Sequence, residues 1–223
     1  MNPHPSPLTA HVVILAAGEL PTHPVPLRAL HEADLVICCD SAYEAIKSDK
    51  LRLKNYVVIG DGDSLSATDK AELGDRYIQV DEQDYNDLHK AMDYATSHFS
   101  PLTSHFSLIG ATGRREDHTL GNISYLVTFA EEHPGAHIEM LTNHGTLCSM
   151  TGSRSFASFP RQQVSIFTMT PDQPIHSDGL RWPLNGFHAR RWWQASLNEA
   201  LGTEFSLRTE GWLVVFQTYA PKE

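Results

Sequence analysis

The chain predicts two parts: an α/β domain over residues 1–143 with a mostly parallel sheet, and an all-β sandwich over residues 144–223. Three observations carry that prediction. Up to about residue 142, short apolar runs rich in Val and Ile alternate with stretches of helical period. Acidic or glycine-rich loops follow the ends of those runs. Beyond about residue 145, strand-like runs follow one another, divided by Pro and Gly, without a convincing helix between them. With 223 residues, 41% of them hydrophobic, the chain can bury one large core or two small ones.

In chain order, His11 to Ala17, Leu35 to Cys39, Tyr56 to Ile59, Tyr77 to Val80, Phe106 to Ile109 and His137 to Leu141 read as buried strands. After Asp84, the residues Leu88, Ala91, Met92, Ala95 and Phe99 share one helical face; after Asp117, so do Leu120, Ile123, Leu126, Val127 and Ala130. Strands alternating with helices imply a parallel sheet covered on both sides. Asn143-His144-Gly145 is a candidate crossing between the domains. Phe156 to Phe159, Gln163 to Thr170, Phe205 to Arg208 and Trp212 to Tyr219 then read as the strands of a small antiparallel sandwich.

The net charge of −10 argues against a general nucleic-acid binder, which needs a basic surface to displace phosphate counterions. Met1 to His11 holds three prolines but no basic patch followed by an apolar stretch, so a secretion signal is not expected. Nor does any apolar run reach membrane-spanning length. Three cysteines without metal-ligand spacing fit a reducing, cytoplasmic compartment.

Ligands of such sheets bind beyond the carboxyl ends of the strands, and the chain concentrates its chemistry there. Asp40 follows one strand and Gly60-Asp61-Gly62-Asp63-Ser64 the next. Then come Asp81-Glu82-Gln83-Asp84-Tyr85-Asn86-Asp87 and Gly110-Ala111-Thr112-Gly113-Arg114-Arg115-Glu116-Asp117-His118. Carboxylates gathered at one sheet edge repel one another unless a hard divalent cation such as Mg²⁺ sits among them. Gly62 between Asp61 and Asp63 lets both bend toward one ion, and Ser64 can bond a phosphate or cap the helix starting near Ala67; the same run is also ordinary turn chemistry. Asp84 and Asp87 either face the sheet edge or serve a helix start, with Lys90 one turn on, toward phosphate or solvent. Gly110, Thr112 and Gly113 can bring backbone N–H groups to an anion, and Arg115 supplies a fork matching phosphate oxygens. Asp117 can orient Arg115, hold metal or cap the helix, while His118 and Asn122 point to ligand or to local backbone. In the last third, Trp182 beside Pro183 can stack on a flat ring whose edge Ser196 and Asn198 could bond; alternatively, all four tryptophans build the sandwich core.

In this order the motifs resemble the thiamine pyrophosphokinase family. Its Gly-Asp-x-Asp-Ser turn is matched at Gly60 to Ser64, and its Gln-Asp-x-Thr-Asp segment at Gln83 to Asp87. Its Gly-x-x-Gly-x-Arg-x-Asp-His loop with a following Asn is matched by Gly110, Gly113, Arg115, Asp117, His118 and Asn122. The Gly-Leu-x-Trp and Ser-x-Asn segments are matched at Gly179 to Trp182 and Ser196 to Asn198. Asn86 stands where the family usually has Thr, and Arg114 where it often has Gly.

The resemblance implies a three-layer α/β domain, a C-terminal β-sandwich and a homodimer with active sites between subunits. It implies pyrophosphoryl transfer from ATP to thiamine, with Mg²⁺ on Asp61, Asp63 and Asp87 and with Asp84 in the same cluster. Asp40, Ser64, Lys90, Gly110, Thr112, Gly113, Arg115, His118 and Asn122 then lie around the nucleotide, and the thiamine pyrimidine stacks on Trp182. A metal-dependent phosphohydrolase or nucleotidyltransferase would need a similar carboxylate and arginine set. A non-catalytic nucleotide-binding module is the third reading, with less reason to keep so much charge together.

Overall fold

The computed structural model describes residues 10–82 and 84–221. The proline-rich first seven residues and Gln83 of the second acidic motif lie outside the described residues. Two compact units are present: residues up to Asn122 with His133–Thr142, and Ile123–Glu132 with Asn143 onward.

Among the described residues, six parallel strands build the first unit: β1 (His11–Leu15), β2 (Leu35–Cys39), β3 (Tyr56–Gly60), β4 (Tyr77–Gln79), β5 (His105–Ile109) and β6 (His137–Leu141). They lie in the order β4-β3-β2-β1-β5-β6. Val12, Val13, Ile14 and Leu15 of β1 are all shielded from solvent, so both faces of that strand are covered. Val13, Leu15, Val36, Cys38 and Val58 pack with Leu30, Tyr43 and Leu73 in one cluster.

Between the strands run α1 (Pro24–Glu32), α2 (Tyr43–Lys47), α3 (Ala67–Leu73), α4 (Asp87–His98) and α5 (Glu116–Glu132). α1 carries Pro24 and Pro26 in its first turn, where a missing N–H costs nothing, and His23 caps it by accepting from the Val25 amide. The expected face of α4 is buried at Leu88, Ala91, Met92 and Ala95. On α5, Leu120 is exposed, and the buried apolar positions are Leu126 and Phe129.

The start of α3 has a different owner from the one expected. Ser66, not Ser64, caps it, in a reciprocal box with Asp69. Lys47 Nζ lies 2.7 Å from Asp69 Oδ1. That ammonium first, and the Ser66 hydroxyl second, hold the Asp69 carboxyl at about 2, below its ordinary 3.8. Because the folded value is depressed, this stabilisation is complete above the ordinary value and lost as pH falls toward the folded one. Asp69→Asn should therefore reduce stability near neutrality and flatten its decline across the acid range, read from urea midpoints against pH.

The second unit is β-rich and antiparallel: β7 (Gly145–Ala157), β8 (Gln162–Thr168), β9 (Pro174–Asp178), β10 (Asn185–His188), β11 (Asn198–Glu199) and β12 (Glu204–Pro221). β12 pairs with β7, β8 and β9, and its register shifts between Thr209 and Leu213. The two runs read separately near the C-terminus are thus one strand with an irregularity, and Phe156 lies at the end of a strand that begins at Gly145. Phe156 and Phe205 stack at 4.9 Å inside a core with Val164, Ile166, Leu207 and Val215. Ser149 of β7 donates to the Leu126 carbonyl at 2.7 Å, tying the latter part of α5 to this unit. The tryptophans do not make this core: Trp182, Trp192 and Trp193 are exposed.

Candidate active site

β1 has β2 on one side and β5 on the other, so chain connections leave it in opposite directions and open a crevice at its carboxyl end. A cleft of about 290 Å³ lies there, lined by Ala16 to Gly18 after β1, Ser41 after β2, Asn86 to Leu88, and Gly110 to Thr112 after β5. Arg114, Arg115, His118, Thr119 and Asn122 complete the wall.

The carboxylates gather beside it. Asp40, buried at the end of β2, accepts a hydrogen bond from the Gly62 amide at 3.2 Å, so one strand end holds the acidic turn of the next. Within that turn the Asp63 amide donates to Asp61 Oδ1 at 3.0 Å. Gly62 has φ of 83°, a left-handed conformation that favours glycine, and a Cβ there would displace the Tyr77 hydroxyl and the Lys70 ammonium that close on the turn. Burial raises the Asp87 carboxyl above its ordinary range, and Asp40 and Asp61 push it further against the opposing pull of Lys90. The Tyr77 hydroxyl is likewise raised, by burial and then by Asp40, Asp61, Asp81 and Asp63. Carboxylates from three loops therefore share one field.

Lys90 is buried with its ammonium 3.7 Å from Asp87 Oδ1. Asp84 is exposed on its loop, its amide held by Glu82. Ser64 is exposed beside Asp63. Sequence reasoning passed over Tyr77 and Lys70, which close on the turn; the Lys70 ammonium lies 5.6 Å from the Tyr77 ring centroid. The clue was their place, in the helix after the turn and the strand after that.

The phosphate-type loop is pinned against β1. Ala16, Gly18 and Glu19 amides donate to the Ile109, Gly110 and Thr112 carbonyls at 2.6–2.8 Å. Gly110 has φ of 68°, and a Cβ there would meet the Ala16 carbonyl oxygen at 2.4 Å. Arg115 is exposed and forked onto Asp117, Nε to Oδ1 at 3.1 Å and Nη2 to Oδ2 at 2.6 Å. Its guanidinium first, and the His118 amide second, hold the Asp117 carboxyl at about 2. Asp117 thus orients Arg115 from inside the first turn of α5, whose first residue is Glu116. Arg114 instead donates to the Ala17 carbonyl at 3.0 Å.

Asn122 is buried and points to backbone, donating to the Ala111 carbonyl at 2.8 Å. Its Oδ1 accepts from Asn86 Nδ2 at 3.3 Å, while Asn86 Oδ1 caps α4 at the His89 amide. Asn86 can donate and accept at once, and so links the acidic segment to the phosphate-type loop.

In the β-rich unit, Asn198 is buried and clamps Trp182 by its backbone, accepting from the amide at 3.2 Å and donating to the carbonyl at 2.7 Å. That clamp leaves the Trp182 ring half exposed with the Arg181 guanidinium 5.2 Å from its centroid. Ser196 donates to the Trp193 carbonyl at 2.7 Å.

Carboxylates beside a glycine-rich arginine loop at the switch point of a parallel sheet define an α/β enzyme that handles phosphate groups. The family models that match are "Thiamin pyrophosphokinase, catalytic domain" over residues 27–139 and "Thiamin pyrophosphokinase, substrate-binding domain" over residues 145–216. The chain belongs to the thiamin pyrophosphokinase family. It is accordingly an ATP-dependent enzyme that transfers a pyrophosphoryl group to thiamine.

Solved structures with the same fold include the thiamin pyrophosphokinase from Candida albicans, with a TM-score of 0.78 at 17% identity over 94% of this chain and 89% of that one. The yeast enzyme gives 0.78 at 16% identity over 96% and 88%. That from Geobacillus thermodenitrificans gives 0.72 at 21% identity over 94% and 97%. No curated protein sequence matches the chain.

Proposed function

We propose that Asp61, Asp63 and Asp87 hold Mg²⁺ beside the ATP phosphates, with Asp84 joining the cluster from its loop and Asp40 fixing the acidic turn from below. The observation that carries this is the hydrogen bond of the Gly62 amide to Asp40, which fixes the Asp61–Asp63 turn at the strand ends, with Asp40 and Asp61 near enough to Asp87 to raise its carboxyl. Such a set, all carboxylate oxygen, is the donor chemistry of a hard cation. When bound, Mg²⁺ neutralises the charge of the phosphate oxygens.

The thiamine hydroxyl attacks the β-phosphorus of ATP in line, forming the new P–O bond as the bond to the AMP oxygen breaks. Arg115, oriented by Asp117, takes phosphate oxygens at the rim of the cleft. Backbone groups of Gly110, Thr112 and Gly113 cradle the chain of phosphates. Ser64, Lys90, His118 and Asn122 complete the nucleotide surroundings, Lys90 through Asp87 and Asn122 through the Ala111 carbonyl. An aspartate of the cluster accepts the hydroxyl proton late in the transfer.

The catalytic domain spans residues 1–143 in three layers, and residues 144–223 form a sandwich that binds thiamine through Trp182, with Ser196 and with Asn198 acting through its clamp on Trp182. The enzyme is a homodimer with active sites between subunits. It works in the cytoplasm; Cys38, Cys39 and Cys148 are buried and form no disulfide, which agrees with a reducing compartment. Among the described residues no helix is long and apolar enough to cross a membrane.

Steady-state assays of AMP and thiamine diphosphate test the assignment. Trp182→Ala should raise the KM for thiamine about tenfold, the worth of one lost aromatic stack, and leave that for ATP unchanged. An unchanged thiamine KM removes Trp182 from the pocket.

A further inference from the structure

At the amino ends of the parallel strands, away from the catalytic cleft, three histidines stand in a row. His11, His105 and His137 are the first residues of β1, β5 and β6, and the register places His11 beside His105 and His105 beside His137. Register partners point to the same face of a sheet. Their rings accordingly stack, at 4.9 Å and 21° for the first pair and at 4.2 Å and 23° for the second. Two residues further along, on that same face, Ser107 pairs with Glu139.

Glu139 reaches back into the row. Its Oε1 lies 3.0 Å from His105 Nε2, and one donor atom each from His105, His137 and Glu139 falls within 4.8 Å of the others. The His105 nitrogen is buried, and its separation from the carboxylate is that of an ion pair and equally that of two donors on one edge of a coordination sphere. A tetrahedral zinc ion with bonds of about 2.0–2.1 Å separates its donors by roughly 3.3 Å. The His105–Glu139 edge is near that already, and side-chain rotation can bring in His137 at the exposed end of the set.

The surrounding contacts agree with the geometry. His11 Nε2 lies 3.0 Å from the Ser107 hydroxyl, which is 3.5 Å from Glu139 Oε1, an outer layer that orients the carboxylate.

We propose that His105, His137 and Glu139 form a second metal site, for a borderline divalent ion such as Zn²⁺ or Co²⁺, with His11 and Ser107 supporting it. Imidazole with carboxylate suits such ions, whereas the aspartate cluster suits Mg²⁺. The strands between are five residues long, which sets the two sites on the order of 15 Å apart. The new site therefore stays outside the phosphate chemistry and braces the three strands. His137 is exposed and gives the ion access.

The test titrates the untagged full chain with Co²⁺ in millimolar Mg²⁺, which occupies the aspartates. One Co²⁺ per chain should bind with the visible absorption of a four-coordinate ion, and one equivalent of Zn²⁺ should displace it. His137→Ala, at an exposed position that spares the fold, and Glu139→Gln should each weaken binding at least about tenfold and keep normal turnover with Mg²⁺. Asp61→Asn should bind Co²⁺ as the wild type does, whatever it does to turnover. The site is refuted by absence of stoichiometric binding in Mg²⁺, by binding that survives His105→Ala with His137→Ala, or by binding lost in Asp61→Asn.

Discussion

Asp61→Asn and Asp63→Asn should each lower turnover by about 10³-fold at saturating ATP and Mg²⁺, since clamping charge at the transferring phosphoryl group is worth several kcal/mol and each factor of ten is about 1.4. The amide is nearly the same shape as the carboxylate. In Asp61→Asn the side-chain oxygen can still accept from the Asp63 amide, so the turn keeps its internal bond. What is lost is charge. Asp63 is exposed and Asp61 partly so, and substitutions at such positions usually change stability by less than about 0.5 kcal/mol. Melting curves should therefore coincide with the wild type in the absence of Mg²⁺, while AMP and thiamine diphosphate appear at the reduced rate. Near-normal turnover in either variant would take that carboxylate out of the metal set.

How far this site was legible follows from what each residue depends on. β2 and β6 begin and end as the sequence indicates; for β2 this is because a buried parallel strand is a continuous apolar run bounded by polar residues, here Asp34 and Asp40, with no competing period. β12 reads as two runs because Thr209-Glu210-Gly211 is polar and turn-like, although the chain passes through it as one strand with a register shift. α1 is hidden by His23-Pro24-Val25-Pro26, which has the composition of a loop; only the positional tolerance of Pro in a first turn makes it helical. The acidic motifs were legible as local patterns at strand ends. Their joints were not. Asp40 binds the Gly62 amide 22 residues away, and Asn86 reaches Asn122 36 residues away. Such contacts arise from strand order, which periodicity does not encode. The histidine row was hidden for the same reason, each member looking like an ordinary strand start until the register set three of them side by side.

Arg115→Ala should lower kcat by about 10²–10³-fold, the usual cost of removing one preorganised donor from a developing negative charge. Arg115→Lys should recover only part of this, because an ammonium keeps the charge and loses the planar fork. The informative partner is Asp117. The Arg115–Asp117 pair is exposed, and exposed pairs add little to stability, so both single variants should melt close to the wild type. If Asp117 acts only by aiming the guanidinium, Asp117→Asn should cost less than Arg115→Ala, and the double variant should be no slower than Arg115→Ala alone. Contacting residues that work as one unit show this non-additivity. Multiplied losses in the double variant would mean instead that the Asp117 carboxylate touches substrate or metal on its own account. The cycle separates the two because the geometry commits both Asp117 oxygens to Arg115, at 3.1 and 2.6 Å, and leaves the remaining guanidinium donors for phosphate.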